Sequence, residues 1–486
     1  MDSHLRLGLT YDDVLLQPKY STISSRKQVD VSTQLSRHIR LSIPIVSANM
    51  DTVTEAAMAI AMARMGGIGV IHRFMTIDQE VAHVRKVKRS QGWIIEEPYT
   101  IYPDQTVADA RKLMQAHSIS GLPVVDEQNK LLGILTARDI LFAPETASVA
   151  ARMTPRGRLI TAPPGVDAES ARLTMDEHRL EKLPLVDEHG YLRGLMTSKD
   201  LQRSVQFPHL TTDERGRLRV GAAIGVIGDY LERAEALVEA DADVLVIDIA
   251  HGHAEHALKA VEAVRQRLGD VELIAGNVAT GDGARDLASA GVDAVKVGVG
   301  PGSICITRLV AGVGVPQLTA VFDGAQAVSD LEIPIIADGG IRQGGDVTKA
   351  LAAGASTVMV GSLLAGTQES PGVTITRGDR RYKVARGMAS AEAALYRVQR
   401  QDAEKGWAEW EADVRDIVPE GVEAAVPYRG TAEEVVFQLV GGLRSGMSYC
   451  DALTLQELRK NATFIRITEA GRQEGRPHDV EMLGQF

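Results

Sequence analysis

The sequence is short of cysteine, of positive charge and of long apolar runs, and each shortage excludes a class of protein. Two cysteines among 486 residues are too few for a disulfide framework, so we expect a reducing compartment, the cytoplasm. No stretch approaches the roughly 20 consecutive apolar residues of a membrane span, and the first residues lack the apolar core of a signal peptide. The net charge of −11, without a run of Lys or Arg, argues against nucleic acid or an anionic membrane as a partner.

Apolar and charged residues make up 44% and 24% of the chain, as in an ordinary globular protein of up to about three domains. Short apolar runs alternate with helical patterns, which is the order of parallel strands joined by helical crossovers. The runs that we predict to be strands are 43–47, 68–72, 220–225, 244–248, 273–277, 294–300, 333–338 and 357–361. About eight βα units predict an α/β fold, the TIM (β/α)8 barrel, built from residues 1–92 and 207–486.

Residues 93–206 interrupt this alternation with an internal repeat. Three landmarks recur with the same offset of 61 residues, namely Pro123 and Pro184, Thr136 and Thr197, and Asp139 and Asp200. A constant offset indicates a duplicated module, with copies at about 93–150 and 151–206. The repeat resembles tandem cystathionine-β-synthase (CBS) domains, a Bateman module, which would be inserted into one barrel loop.

In CBS domains a Thr-x-x-Asp pattern often contacts the ribose of an adenine or guanine nucleotide. Thr136 with Asp139, and Thr197 with Asp200, match this pattern, so the resemblance implies regulatory ATP or GTP at the pair. An alternative needs no ligand: the Thr caps the helix that follows, and the Asp lies in its first turn, where the helix dipole favours it. Both interpretations can hold for the same residues.

Cys305 follows a glycine-rich loop at the end of a predicted strand. Glycine allows close approach of the backbone to a ligand, and a cysteine of low pKa is a good nucleophile near neutral pH. The alternative is a tight turn that ends in a small buried residue. Barrels place their active sites at the carboxyl ends of strands, which favours a catalytic Cys305. Other polar residues at predicted strand ends are Asn49, Asp51, Asp248, Asn277 and Asp338.

Residues from about 388 to 425 are polar, irregular and charged. So long an excursion from a compact barrel predicts a mobile flap over the site. The alternative is a plain surface helix over residues 391–414.

The motif Gly300-Pro301-Gly302-Ser303-Ile304-Cys305, followed by Thr307 and Arg308, resembles the IMP dehydrogenase/GMP reductase family. The similarity extends over nearly the whole chain, from residues 9–14 to residues 464–468. The resemblance implies a purine nucleotide oxidoreductase in which the Cys305 thiolate attacks C2 of a nucleoside monophosphate and forms a covalent thioimidate. Thr307 would assist proton transfer.

The resemblance also implies which residues bind the ligands. For the nucleotide these are Ser303, Gly340, Gly361 and Ser362 at the phosphate, Asp338 at the ribose, Gly387 and Met388 at the base, and Glu420 at N1. For NADPH or NAD they are Asp248, Asn277, Gly298 and Gly300. Carbonyl groups of Gly300, Gly302 and Cys305 would bind potassium, completed by residues 474–476 of a neighbouring subunit. The family also suggests a homotetramer, with octamers formed through the CBS pair as an alternative.

The two branches of the family differ in the fate of the thioimidate. Dehydrogenases hydrolyse it to XMP with a water that a flap Arg-Tyr pair activates, whereas reductases form it from GMP and reduce it to IMP with NADPH. Residues 401–407, where that pair would stand, contain neither Arg nor Tyr, and losing a general base costs about 10²–10⁴-fold in rate. Residues 48–53 also resemble the reductases. We therefore favour GMP reductase.

Other features favour the alternative, IMP dehydrogenase, which converts IMP, NAD and water to XMP and NADH. The CBS pair, residues 418–421 and the C-terminal tail all resemble the dehydrogenases. The catalytic glutamate of the reductases falls on Ala391, so Glu392 would serve only if the register slips, and otherwise it is a solvated helix residue. Because Ile306 and Ala385 depart from the family pattern, a second alternative is a nucleotide-sensing, catalytically weak paralogue or an enzyme for a modified purine nucleotide.

Overall fold

The computed structural model describes residues 5–90, 95, 98–117, 119–198, 209–393 and 418–477. The chain divides into two compact units. The first comprises Met1–Ser90, His209–Asp213 and Leu218–Phe486, and the second comprises Gln91–Pro208 and Glu214–Arg217. The boundaries predicted from the sequence differ by two residues, and the sequence does not predict the separate short segment of the second unit. Among the described helices, none combines the length and the apolar character needed to cross a lipid bilayer.

A closed barrel of eight parallel strands forms the centre of the first unit. The strands are β1 (Ile45–Ser47), β2 (Ile68–Ile71), β3 (Gly221–Ile224), β4 (Val244–Asp248), β5 (Leu273–Val278), β6 (Ala294–Val297), β7 (Ile335–Asp338) and β8 (Thr357–Val360). Each strand pairs with the next, and β8 pairs with β1, so the barrel closes. The predicted TIM barrel is confirmed. Most strands are shorter than predicted, and those in the runs 220–225, 294–300 and 357–361 end just before a glycine.

Helices surround the barrel, which explains why its strands are apolar on both faces. They are α1 (Ala56–Arg64), α2 (Ile77–Ser90), α3 (Tyr230–Glu239), α4 (Glu255–Leu268), α5 (Gly281–Ala290), α6 (Gln317–Ala327), α7 (Gly344–Ala352) and α8 (Ala432–Tyr449). Shorter helices are Thr307–Val310, Ser362–Ala365, Leu455–Asn461 and Glu469–Glu474. Local sequence sets the ends of α5: the Thr280 hydroxyl accepts the Gly283 N–H, and Gly291 stops the helix in the left-handed conformation.

Short antiparallel sheets lie outside the barrel. One contains three strands, Thr374–Arg377, Arg380–Arg386 and Glu423–Pro427, and it pairs residue 386 with residue 423, near the two ends of the predicted flap. Two more are the pairs Val14–Leu16 with Phe464–Arg466 and Thr33–Gln34 with Arg40–Leu41. Residues 394–417, which include most of the predicted flap helix, lie outside the described residues.

The second unit contains one motif twice, a helix followed by a β-hairpin. The first copy is Val107–Ala116 with Gly121–Val125 and Leu131–Thr136, and the second is Ala168–Glu177 with Lys182–Val186 and Leu192–Thr197. Corresponding elements begin 61 residues apart, the offset seen in the sequence. Each copy has an apolar core of its own. The assignment of these copies as CBS domains stays a prediction.

A buried ion pair joins α2 to α3. Nη1 of Arg233 lies 2.6 Å from Oε2 of Glu80, and Nη2 of Arg233 donates to Asp229 at 2.8 Å. Burial raises the pKa of Glu80, and the charge of Arg233 opposes that rise. The substitution Arg233→Met should therefore lower the free energy of unfolding by about 3–5 kcal/mol, because it removes the cation that contacts a buried carboxyl group. Denaturant unfolding measures this loss.

The matched control is Arg267→Met, which removes an exposed arginine paired with Glu235. Exposed ion pairs contribute little to stability, so this variant should unfold at the same denaturant concentration as the wild type. If the free energy of unfolding falls equally in the two variants, the contact of Arg233 with Glu80 contributes no more to stability than an exposed ion pair.

Candidate active site

A cleft of about 510 Å³ opens at the carboxyl ends of the barrel strands. Its wall contains residues that end or follow β1, β2 and β4 to β8, together with residues 387–390, 418, 420 and 421. A cavity of this size suits a small-molecule ligand. The barrel therefore carries a candidate site at the edge where the sequence predicts one.

Cys305 lies on the loop between β6 and α6. The chain leaves β6 through Gly298, where a Cβ atom would lie 2.0 Å from the carbonyl oxygen of Asp338, so only glycine fits. The N–H of Cys305 donates to the carbonyl of Gly302 at 3.1 Å, and its Sγ atom lies 3.2 Å from Oγ1 of Thr307. A thiol next to a hydroxyl group on the wall of a cleft can act as a nucleophile with a proton relay beside it.

The ends of the predicted flap pair with the Cys305 loop. The N–H of Ile306 donates to the carbonyl of Glu420 at 2.8 Å, and the N–H of Val422 donates to the carbonyl of Ile304 at 3.0 Å. The carbonyl of Val422 in turn accepts the N–H of Gly387 at 3.0 Å. Both stems of the flap thus lie against the loop that carries the thiol.

Lys296 is the centre of a buried charge cluster on the same wall. From β6 its Nζ reaches Oδ1 of Asp248 at 2.9 Å and Oδ2 of Asp338 at 3.0 Å, and it also contacts Oδ1 of Asn277. Nδ2 of Asn277 donates to Asp338 and to the carbonyl of Gly298, both at 2.8 Å. One ammonium group therefore joins the ends of β4, β5 and β7.

The charges in this cluster stabilise one another. Burial alone would lower the pKa of Lys296, but the carboxylates of Asp248 and Asp338 outweigh it and raise that pKa. Burial alone would raise the pKa of Asp248, but the charge and hydrogen bond of Lys296 lower it. Both Lys296 and Asp248 are therefore charged near neutral pH. The cluster can offer carboxylate oxygens to the hydroxyl groups of a ligand.

Most residues implied for the active site meet at this cleft. Those on its wall are Cys305, Thr307, Asp338, Gly387, Met388, Glu420, Asp248, Asn277, Gly298, Gly300 and Gly302. Those implied for the phosphate, namely Ser303, Gly340, Gly361 and Ser362, do not belong to the wall formed by the described residues. Gly361 nevertheless borders it, because a Cβ atom there would lie 3.4 Å from Sδ of Met50, a wall residue.

Glu392, the candidate glutamate of a reductase, is exposed and is not among the described wall residues. It lies in a short helical segment that Ser390 caps, because the Ser390 hydroxyl accepts the N–H of Ala393 at 3.0 Å. This environment is that of a solvated helix residue, the alternative that the sequence leaves open. Ala385, which departs from the pattern of the family that the sequence resembles, is buried.

Two wall-supporting residues are absent from the candidates drawn from the sequence. Lys296 interrupts the apolar run Ala294-Val295-Lys296-Val297. Because a charge inside a buried strand needs charged or hydrogen-bonding partners, this pattern indicates a lysine that is paired inside the barrel. Gln317 donates its Nε2 to the carbonyls of Val297 and Asp338 at 2.8 and 3.1 Å. It ties β6 to β7 at the base of the Cys305 loop, and nothing in its sequence context indicates this role.

In the second unit, Oδ2 of Asp139 accepts hydrogen bonds from the N–H and the hydroxyl of Thr136, both at 2.7 Å. Residues 137–142 form turns and not a helix, so the predicted helix cap at Thr136 is absent, and the pair instead closes a local turn. Thr197 ends the strand Leu192–Thr197, and Asp200 lies outside the described residues. Nucleotide binding at these four residues stays a prediction.

Comparisons with a family model and with known proteins agree on one family. A model described as the IMP dehydrogenase / GMP reductase domain matches residues 8–478. Inosine-5'-monophosphate dehydrogenase from Nitrosopumilus maritimus is 55% identical over 476 residues, which is 98% of this chain and 99% of that protein. The Bacillus subtilis protein of the same name is 50% identical over 479 residues, or 98% and 96% of the two chains.

Among solved structures, GMP reductase from Trypanosoma brucei in complex with guanosine 5'-monophosphate matches with a TM-score of 0.87 and 43% identity, over 99% of both chains. The family model and the relatives each cover the barrel strands, the Cys305 loop and the charge cluster around Lys296. The resemblance carried by the Cys305 motif is thus confirmed. The chain belongs to the IMP dehydrogenase / GMP reductase family, and it is an oxidoreductase of that family.

Proposed function

We propose that this chain is a GMP reductase, which converts GMP and NADPH to IMP, ammonia and NADP⁺. The observation that carries the proposal is the flap sequence, because residues 401–407 read Gln-Asp-Ala-Glu-Lys-Gly-Trp in place of the Arg-Tyr pair of the dehydrogenases. Without a base for water, hydrolysis of a thioimidate would be slower by about 10²–10⁴-fold. Reduction of the same intermediate needs no activated water.

The match to the Trypanosoma brucei enzyme supports this direction. In the sequence, a CBS-like insertion favours the dehydrogenases. However, a protein named GMP reductase aligns with 99% of this chain, and the alignment covers 99% of that protein. An insertion of this kind is therefore compatible with a reductase.

The proposed chemistry uses Cys305 and Thr307. The Cys305 thiolate forms a bond to C2 of GMP while the bond between C2 and the exocyclic nitrogen breaks. Thr307, with Oγ1 at 3.2 Å from the sulfur, relays the proton that the Cys305 thiol loses to that nitrogen, which leaves as ammonia. A thioimidate on Cys305 remains. NADPH, when bound, would supply hydride to C2; the bond from C2 to sulfur would then break, and IMP would leave with the Cys305 thiolate restored.

The nucleotide would bind across the ends of β6, β7 and β8. Asp338 would accept the ribose hydroxyls, Gly387 and Met388 would line the base, and Glu420 would contact N1. The phosphate would lie at Ser303, Gly340, Gly361 and Ser362, where backbone N–H groups at glycine can approach its oxygens closely.

The residues on the wall fit a nicotinamide cofactor. Asp248 is a charged acceptor there, and Gly298 and Gly300 belong to the same wall. Asp248, Asn277, Gly298 and Gly300 would hold NADPH in the reductase direction, or NAD in the opposite one. We also propose potassium at the carbonyls of Gly300, Gly302 and Cys305, of which the Gly302 carbonyl accepts one hydrogen bond and keeps a second lone pair.

Regulation and assembly extend the proposal. ATP or GTP would bind the second unit at Thr136, Asp139, Thr197 and Asp200, and the chains would assemble as a homotetramer, or as an octamer through the second unit.

IMP dehydrogenase is the second candidate function. It is favoured by relatives of that name that are 48–55% identical over nearly the whole chain. The two candidates share Cys305 and the thioimidate, and they differ in whether water or hydride resolves it.

One assay on the purified protein separates them. Addition of GMP should cause oxidation of NADPH, while IMP with NAD⁺ should give no NADH. Formation of NADH from IMP would instead establish the dehydrogenase. Absence of both activities, together with tight binding of ATP or GTP, would favour a nucleotide sensor.

A further inference from the structure

Asp51 is a buried carboxylate beside the cleft that the proposed chemistry does not use. It directly follows Asn49 and Met50, which belong to the wall, and its side chain is 1% exposed. Its Oδ2 lies 3.4 Å from Nε of Arg386, and no described donor forms a hydrogen bond with either of its oxygens. A buried carboxylate whose nearest partner is a single cation adds little net stability to a fold. A contribution to packing therefore does not explain why a carboxylate is buried at this position.

Arg386 directly precedes Gly387 and Met388, which line the cleft from the flap side. Its main-chain N–H donates to Oγ1 of Thr52 at 3.1 Å, so both its main chain and its side chain meet the loop that follows β1. Its Nε also lies 3.6 Å from Oε2 of Glu423 on the neighbouring strand. Arg386 therefore fastens the strand pair that carries both flap stems to the β1 loop.

From Arg386 the contacts continue to the nucleophile. A Cβ atom on Gly387 would lie 3.1 Å from Cα of Gly421 and 3.1 Å from the carbonyl oxygen of Ile304, so these main chains touch. Gly421 forms an antiparallel bridge with Cys305. Because these main chains are in direct contact, a displacement of Arg386 is transmitted to the Cys305 loop.

We propose that Asp51 is a positioning residue, which acts through Arg386 to hold the Gly387–Met388 segment and the Glu420–Gly421 stem in the geometry that binds the purine base. The identity of the base, though not the coupling of Asp51 to Cys305, rests on the proposed function. Loss of the Asp51 charge releases Arg386 toward Glu423 and loosens both stems.

This role makes nucleotide affinity depend on pH. The groups that face Asp51 are Arg386, His72 at the end of β2, Glu423 and Glu55. Burial raises the pKa of Asp51, and Arg386 and His72 offset only part of that rise. As the pH falls, Asp51 therefore takes up its proton before an ordinary aspartate does, and the contact with Arg386 is lost. Affinity for the nucleotide should fall over that same interval.

The test measures GMP binding by calorimetry from about pH 5 to about pH 8, in Cys305→Ala protein so that no turnover occurs. Adding Asp51→Asn should weaken GMP binding about tenfold at neutral pH and should abolish the loss of affinity at low pH. If the loss of GMP affinity at low pH persists in the Asp51→Asn protein, it comes from another group such as His72 or Glu55, and the proposed role of Asp51 in it is wrong. Equal affinity and an equal pH profile with and without Asp51 overturn the proposal.

Two further variants separate positioning from general damage to the fold. Glu423→Gln removes the other carboxylate beside Arg386 and should keep both the affinity and the pH dependence. Arg386→Lys keeps a cation for Asp51 and should retain the pH dependence with a smaller loss of affinity. A Glu423→Gln profile that matches Asp51→Asn would show that any charge change in this region suffices, which also overturns the proposal.

A second measurement needs no nucleotide and keeps the inference testable if the proposed function fails. Cys450 is buried, so alkylation by iodoacetamide at a fixed pH reports on Cys305. Asp51→Asn should speed this reaction severalfold because the stems no longer hold the loop. An unchanged rate contradicts the coupling, whereas failure of the Cys305→Ala protein to bind either GMP or IMP contradicts only the proposed function.

Discussion

Replacing Cys305 with alanine is expected to lower GMP-dependent oxidation of NADPH by at least about 10⁴-fold. Removal of a catalytic nucleophile costs on the order of 10⁶-fold in enzymes where it has been measured alone. No second thiol is present on the described wall of the cleft to replace it. GMP should still bind, because the residues proposed to contact the ribose, base and phosphate are other than Cys305. Steady-state kinetics and calorimetry on the same preparation measure both effects.

Cys450→Ala is the matched control, since it removes the other cysteine. Cys450 is buried at the end of α8, and burial raises the pKa of its thiol, so it is a poor nucleophile. This variant should keep its turnover. Turnover in Cys305→Ala above about 1% of the wild-type rate would refute a covalent intermediate on Cys305.

The barrel could be predicted from the sequence because a parallel sheet that is buried on both faces leaves continuous apolar runs. Runs such as 244–248 and 357–361 end at polar residues or glycine, and these ends mark the carboxyl edge of the barrel. The position of Cys305 at that edge follows from counting strands. The pairing of both flap stems with the Cys305 loop does not, because residues 305 and 421 are far apart in the chain and no periodicity relates them.

The charge cluster shows a second limit of sequence reasoning. Asp248, Asn277 and Asp338 are recognisable as strand-end residues, yet the ammonium that joins them comes from within β6. Its partners depend on strand order and register, which place β4, β5 and β7 around Lys296. Glu392 illustrates the converse, because a shift of one residue in a helical segment decides whether a side chain faces a site or the solvent.

Replacing Lys296 with methionine should lower kcat/KM by about 10²-fold, the usual effect of misplacing binding groups by an ångström or so. The variant leaves the carboxylates of Asp248 and Asp338 without their shared cation. In the wild type, Lys296 keeps the pKa of Asp248 below its ordinary value, and without it burial raises that pKa. The acid limb of the kcat/KM profile should therefore move to higher pH.

Stability should change in the same experiment, with a sign that follows from linkage. The pKa of Asp248 is lower in the folded protein than in the unfolded chain. Asp248 therefore stabilises the fold at pH values above its unfolded pKa, and this stabilisation is lost as the pH falls through its folded pKa. Lys296→Met removes the contribution and should cost about 3–5 kcal/mol at neutral pH, as for other broken buried pairs. Lys296→Arg, which keeps the charge, should restore part of both the activity and the stability.

Lys349→Met distinguishes a role in the site from a merely structural one. Lys349 is also buried, but it lies on α7, and its Nζ donates to the carbonyl of Tyr11 at 2.8 Å, away from the cleft wall. Its loss should lower the free energy of unfolding without moving the acid limb of the kcat/KM profile. If the profiles of Lys296→Met and Lys349→Met coincide, the ammonium of Lys296 does not set the charge state of Asp248, and the cluster is a structural support only.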